Sequence, residues 1–229
     1  MEPVGTPLSD PDALRARLGR ARLMLLFTPE LARGDPLAAL ACALPCADVV
    51  QVRVKSAEHP RGASPARALC DWTLRVLELV QDRALVLVND RVDVCAALLA
   101  RGVAGVHLGD RDTPPEDARA LLGPLPLIGL STHAQADVAR AGELPLDYLG
   151  FGPVFPTATK GYARGLGPEA AWIAAQGALV PLFPIGGIDA QNAIELEPVG
   201  RACVGSAILG AADPGAAARA VRAALLPEG

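Results

Sequence analysis

Long apolar runs are missing from this chain. None reaches the roughly 18 residues that a membrane-spanning helix needs, and Leu23–Phe27 is far too short. A strong charge of either sign is missing too: the net charge is −4, and without a basic field nucleic acid is not an expected partner. The five cysteines (Cys42, Cys46, Cys70, Cys95 and Cys203) form no C-x-x-C pair, and no histidine pair completes a zinc set. Each lies among apolar residues and reads as a small buried hydrophobe. The opening MEPVGTPLSD carries no basic region of the secretory kind, so a cytoplasmic location is expected. Lysine is scarce as well. Of 21 basic residues only Lys55 and Lys160 are lysine, which singles both out as compact point charges in an arginine-biased chain.

What the chain does have is strand and helix in alternation. With 229 residues and 51% hydrophobic content it can bury a sizeable core. Asp10 ahead of Pro11–Arg20 marks a lead-in helix within residues 1–21. Leu23–Thr28 is then a continuous apolar run of the kind buried on both faces of a parallel sheet. Further strands are expected over Asp48–Val54, Ala84–Val88, Gly105–Leu108, Leu127–Leu130, Tyr148–Phe151, Pro181–Ile185 and Arg201–Val204. Helices are expected over Asp35–Leu44, Ala66–Gln81, Val92–Ala100, Glu116–Leu122, Ala134–Ala141, Pro168–Gln176, Ala190–Leu196 and within Ala211–Leu226. Such alternation implies right-handed crossovers and a parallel sheet. Eight units in this length predict an α/β fold with one domain over residues 1–229, a (β/α)8 TIM barrel. The first unit carries no G-x-G-x-x-G, which argues against a dinucleotide-binding open sheet.

Barrel chemistry sits at the C-terminal ends of the strands, and polar residues and glycines collect there. Alternation along the second strand puts Gln51, Arg53 and Lys55 on one face. Asn89-Asp90 ends the third strand and Ser131 the fifth, while Thr157, Thr159 and Lys160 follow the sixth on a glycine-flanked loop. Three chemical groups emerge. Asp90, Asp110 and Asp112 are carboxylates on adjacent strand ends, suited to Mg²⁺, which takes one or two carboxylates with waters and phosphate oxygens. Helix capping is the other use for Asp112, which precedes Thr113-Pro114-Pro115. Arg53, Lys55 and Lys160 are cations where a pyrophosphate leaving group needs them, with a strand-end ion pair as the other use for Arg53 and Lys55. Finally, Ile185–Ile188 (IGGI) and Val204–Ile208 (VGSAI) follow the seventh and eighth strands, where many barrels hold a phosphate on backbone amides. The residues point to a phosphate on the last two loops and a metal-bound pyrophosphate across the mouth.

The strings QVRVK (51–55), VNDRVD (88–93), GVHLGDRD (105–112), IGLSTH (128–133), DYLGFGPVFPTATKG (147–161), IGGI (185–188) and VGSAI (204–208) resemble, in order and spacing, the thiamine-phosphate synthase family. The fifth string is the most specific. The resemblance implies a transferase of thiamine biosynthesis. It would join 4-amino-5-hydroxymethyl-2-methylpyrimidine pyrophosphate to thiazole phosphate and release pyrophosphate through a pyrimidine carbocation. It implies Mg²⁺ as cofactor, with Asp90 and Asp112 as ligands. Gln51, Arg53, Lys55, Asn89 and Lys160 would contact the pyrimidine pyrophosphate. Ser131, Thr157 and Thr159 would lie along the reacting groups, and Gly187, Gly205 and Ser206 would hold the thiazole phosphate. Lys160, Arg53 and Ser131 would carry the catalysis. The implied partners are small phosphorylated substrates, with neither nucleic acid nor membrane, and a homo-oligomer is compatible with this reading. Asp110 stands where the family's pattern usually has Gln.

Two competing readings remain at this level. Thiazole tautomerases share the fold and also resemble this chain; His133 would be their acid–base group, since histidine titrates near neutrality. A non-catalytic regulator that keeps the phosphate site is the other. Asn89-Asp90, Asp112 and Lys160 favour the synthase, because a proton shuttle needs no pyrophosphate–metal site. His107 reads as a strand-end packing residue and His59 as an exposed one.

Overall fold

Four helices begin on the same two-residue signal, an oxygen-bearing cap followed by proline. They are α1 (Pro11–Arg20), α2 (Pro36–Ala43), α3 (Pro65–Val80) and a C-terminal helix over Pro214–Leu225. Asp10 accepts from the Asp12 amide at 2.9 Å, Asp35 from Leu37 at 2.8 Å, Ser64 from Arg67 at 3.3 Å and Asp213 from Ala216 at 2.8 Å. Each cap satisfies an amide the helix leaves open, and proline costs nothing where no intrahelical donor is used. The computed structural model describes residues 10–54, 64–157 and 164–226, so Lys55, His59, Thr159, Lys160 and Gly161 lie outside the described residues.

The strands are β1 (Leu23–Phe27), β2 (Val49–Val52), β3 (Leu85–Asn89), β4 (Gly105–Leu108), β5 (Leu127–Thr132), β6 (Tyr148–Phe151), β7 (Leu182–Pro184) and β8 (Ala202–Val204). All eight are parallel neighbours in the order β7-β6-β5-β4-β3-β2-β1-β8, and Ile185 pairs with Cys203 across the remaining seam. The intervening helices are α4 (Val92–Leu98), α5 (Pro115–Leu122), α6 (Gln135–Ala141), α7 (Pro168–Gly177) and a short α8 (Ser206–Leu209), which makes the C-terminal helix α9. This is the expected (β/α)8 barrel.

Strand alternation divides the apolar residues into two layers. One side of each strand packs under the helices, as with Leu25, Val50, Val86, Val106, Ile128 and Leu149. The other fills the barrel, where Met24, Val49, Leu85, Leu127, Tyr148 and Phe183 meet Leu14 and Leu18 of α1. The lead-in helix is therefore a plug in the N-terminal end of the barrel. Tyr148 is the largest fully buried side chain, and Gly129 makes its space: a β-carbon there would fall 2.0 Å from the tyrosine ring.

Three local expectations are corrected. The helix expected over Ala190–Leu196 is only a 3-10 turn at Ala193–Leu196, because Asp189 bonds the amides of Gln191 and Asn192 and diverts the backbone from α geometry. β2 ends at Val52 rather than Val54, while β5 runs on to Thr132 and takes Ser131 into the sheet. Of the cysteines, all free, Cys46, Cys95 and Cys203 are buried, but Cys42 is exposed on α2 and Cys70 half-buried. Burial pushes the Cys95 and Cys203 thiols up to about 12, so both are inert packing groups.

Candidate active site

A cavity lies at the C-terminal ends of the strands, and Gln51, Arg53, Asn89, Ser131, Thr157, Gly187, Gly205 and Ser206 all line it. The barrel thus brings together eight of the expected site residues from six different strand ends. Parity explains the β2 pair: Gln51 and Arg53 share the face that points into the barrel, and the register sets Leu26 beside Gln51. Arg53 is half-buried, and burial draws its pKa down while Asp90 and Glu30 oppose that shift. It is a charged guanidinium held against acidic neighbours, at the edge of the cavity.

The turn after β7 has a backbone that only glycine adopts easily. Gly186 and Gly187 take φ of 101° and 65°. A β-carbon on Gly186 would come within 2.6 Å of Pro153, and one on Gly187 within 2.4 Å of the Pro156 carbonyl. The Gly186 carbonyl accepts from the Phe155 amide at 3.0 Å and the Gly187 carbonyl from Asn192 Nδ2 at 2.8 Å. With both carbonyls engaged by protein donors, the turn presents the rest of its backbone to the cavity, next to Gly205 and Ser206. Close backbone approach to an anion is what such a surface permits.

The two expected metal ligands stand beside the cavity wall rather than in it. Asp90 is exposed at the end of β3 and takes φ of 64°, rare for a residue with a side chain. Its amide donates to the His107 carbonyl at 2.7 Å. Arg91 occupies the cap position of α4, so the Asp90 carboxylate is not spent there. Asp112 Oδ2 accepts from the Gly109 amide at 2.7 Å. Because Pro114 precedes α5, Asp112 closes the turn after β4 and does not cap the helix. Asp110, in the same turn, is exposed. Among the described residues no group of three or more His, Cys, Asp or Glu converges. Two hard carboxylates on adjacent strand ends still fit Mg²⁺, whose remaining positions are ordinarily filled by water and phosphate oxygens.

Beneath the cavity runs a chain of polar side chains that the residue pattern did not reveal. His107 Nδ1 meets the Tyr148 hydroxyl at 2.9 Å and its Nε2 meets Ser131 Oγ at 2.9 Å. Gly150 leaves room for that imidazole, since a β-carbon there would sit 3.2 Å from His107 Cε1. Burial raises the Tyr148 phenol well above its ordinary range, with a bond to Gln51 acting the other way, so the phenol stays protonated. His107 is thus an orienting partner of Ser131 rather than a packing residue. His133 lines the cavity too, its Nδ1 donating to the Gly152 carbonyl at 2.5 Å. Thr28, overlooked in the sequence, lies in the wall between β1 and β2.

Fold and cavity together define a (β/α)8-barrel protein with its polar groups gathered at the C-terminal mouth, the end where barrel enzymes place their chemistry. The sequence model of the family described as thiamine monophosphate synthase matches residues 23–208, and the chain belongs to that family. It is 40% identical over 224 residues to a thiamine-phosphate synthase of Anaeromyxobacter dehalogenans, covering 95% of this chain and 94% of that protein. It is 43% identical over 206 residues to one of Gloeobacter violaceus, covering 88% of this chain but only 57% of that longer protein. Among solved structures, thiamine phosphate pyrophosphorylase from Pyrococcus furiosus superposes with a TM-score of 0.76 at 31% identity, over 93% of this chain and 97% of that one. A 3-hexulose-6-phosphate synthase from Salmonella typhimurium, at 16% identity and a TM-score of 0.63 over 90% and 98%, shares the fold alone.

Proposed function

We propose that this protein is a thiamine-phosphate synthase, coupling hydroxymethylpyrimidine pyrophosphate to thiazole phosphate. The observation that carries the reading is the convergence in one cavity of the Gly186-Gly187 turn, the Gly205-Ser206 turn, Arg53, Asn89 and Ser131. In this reading the thiazole phosphate lies on the two glycine turns, and the pyrimidine pyrophosphate lies across the mouth toward Gln51, Arg53 and Asn89. The C–O bond from the pyrimidine methylene to pyrophosphate breaks, and its electron pair leaves with pyrophosphate. The thiazole ring nitrogen then donates its lone pair to the carbocation and forms the C–N bond. No proton has to move in either step, so the chain needs no general base. Arg53 faces the charge that grows on the departing pyrophosphate; the family resemblance gives Lys55 and Lys160, outside the described residues, the same task. Ser131, held by His107, lies beside the reacting carbon with Thr157; Thr159, outside the described residues, has that role by the family resemblance. Asp90 and Asp112 would hold Mg²⁺, which when bound neutralises charge on the leaving group. A cytoplasmic location and small phosphorylated substrates go with this reading. No helix among the described residues is long and apolar enough to cross a membrane.

The test is direct: purified protein with both substrates and Mg²⁺ should yield thiamine phosphate and pyrophosphate, read by chromatography. Conversion of a thiazole precursor to its tautomer without coupling would instead make His133 the working residue of a tautomerase. Thiazole phosphate binding without any turnover would make the protein a regulator. Within the synthase reading, Asp90→Ala should abolish the dependence on Mg²⁺ and most of the rate. A near-wild-type rate in that variant would remove the metal assignment.

A further inference from the structure

Thr28 follows β1 directly and is fully buried. Met24 and Leu26 point into the barrel interior, and strand parity sends Thr28 to the same side, where it lines the cavity next to Gln51 and Arg53. Its Oγ1 is buried and has no hydrogen-bond partner among the described residues. The turn that begins here is made by its backbone: the Leu31 amide donates to the Thr28 carbonyl at 3.0 Å, and the side chain takes no part in the cap. A buried hydroxyl without a partner costs free energy, and folded interiors seldom keep one. Valine has the same shape without that cost, so packing alone does not account for threonine.

The cavity wall is chemically sorted by exposure. Charge and glycine backbone, from Arg53, the Gly186-Gly187 turn and the Gly205-Ser206 turn, keep contact with solvent. Thr28 and Gln51, at 0% and 3% exposure, are neutral and enclosed. A phosphate pressed against that enclosed wall would shed more hydration than one neutral hydroxyl returns, which is costly. A ring nitrogen or an exocyclic amine is a better match, because a hydroxyl can donate to the first or accept from the second.

We infer that the Thr28 hydroxyl is a substrate contact that hydrogen-bonds the uncharged heterocycle of the aminopyrimidine substrate, an assignment that rests on the synthase reading above. The Thr28 hydroxyl, without a hydrogen-bond partner among the described residues, is completed by the substrate.

Steady-state kinetics and thermal melts of Thr28→Val and Thr28→Ser test this. Thr28→Val should raise KM for pyrimidine pyrophosphate roughly five- to tenfold, the range of one neutral hydrogen bond, and leave KM for thiazole phosphate unchanged. Its melting temperature should not fall, since the variant loses only an unpaired hydroxyl. Thr28→Ser keeps the hydroxyl and should restore the pyrimidine KM. Unchanged kinetics in Thr28→Val, a shift that falls on thiazole phosphate, or equal impairment in Thr28→Ser would each overturn the assignment. If the wild-type protein itself neither binds pyrimidine pyrophosphate nor couples it, the synthase reading fails and takes this contact with it; that result appears before any variant is made.

Discussion

The two ends of this barrel are built on opposite principles. At the N-terminal end, polar groups are met by designated partners. Asp147 is buried and accepts from Arg15 at 2.7 Å, Arg119 at 2.6 Å and the Ile128 amide at 2.8 Å. Asp48 receives Arg222 at 2.8 Å together with the amides of Arg22 and Leu23. Arg201 reaches back to the carbonyls of Gly19 and Ala21, tying β8 to the plug helix. At the C-terminal end the Gly186-Gly187 and Gly205-Ser206 turns line an open cavity, and the Thr28 hydroxyl is buried without a hydrogen-bond partner among the described residues. One end uses its arginines to hold the chain closed, while the other lines a cavity with polar groups. The separation lets stability and chemistry vary independently, as barrel folds in general allow.

Two substitutions should pull the ends apart experimentally. The largest effect is expected at the mouth. Arg53→Ala should lower kcat/KM by on the order of 10²–10³, typical for one preorganised donor to developing charge, with the melting temperature close to wild type. If kcat falls with it in equal proportion, the guanidinium acts mainly in the transition state. At the plugged end the expectation reverses. Asp147→Ala leaves Arg15 and Arg119 facing a gap and should cost about 3 kcal/mol of folding free energy, a fall in melting temperature of roughly 6–12 °C for a chain of this size. Its kcat at permissive temperature should match wild type. A variant at the plugged end that lost turnover while keeping its melting temperature would break the division proposed here.

How far the chain could be read in advance follows the same division. The strands were legible because a parallel sheet covered on both faces demands continuous apolar runs such as Leu23–Phe27 and Leu85–Val88. The Asp10 cap announced α1, and the same cap-proline signal at Asp35, Ser64 and Asp213 stood in the letters unread. At the site, parity along β2 and the glycine-bearing turns after β7 and β8 set Gln51, Arg53, Gly187, Gly205 and Ser206 at strand ends, and all five line the cavity. What escaped depends on contacts between distant residues. His107 and Tyr148 are 41 positions apart, and only the side-by-side strands β4, β5 and β6 bring the imidazole between a phenol and Ser131. Thr28 looked like the last residue of an apolar strand, because the lack of a partner is a property of the folded surroundings. The Asp189–Asn192 bonds that tighten an expected helix into a 3-10 turn are local, and there the letters held a signal that helical periodicity concealed.

The smallest effect concerns acid. Burial acts to raise the pKa of Asp48, but the Arg222 bond and the Leu23 and Arg22 amides outweigh it and hold the carboxyl below its ordinary value. A carboxyl depressed in the folded state contributes stability that is fully present above its unfolded pKa, near 4, and that is lost as pH falls through the folded pKa. Asp48→Asn should therefore be less stable than wild type by about 1 kcal/mol at neutral pH, the upper range for a partly exposed pair. The gap should narrow steadily once urea melts are taken below pH 4, where the wild-type carboxyl itself takes up a proton. Arg53→Ala, at the other end, should track the wild-type acid profile throughout. A constant gap for Asp48→Asn between neutral and acid pH would show that the aspartate acts there through shape and neutral hydrogen bonds, and that the Arg222 clamp is not electrostatic.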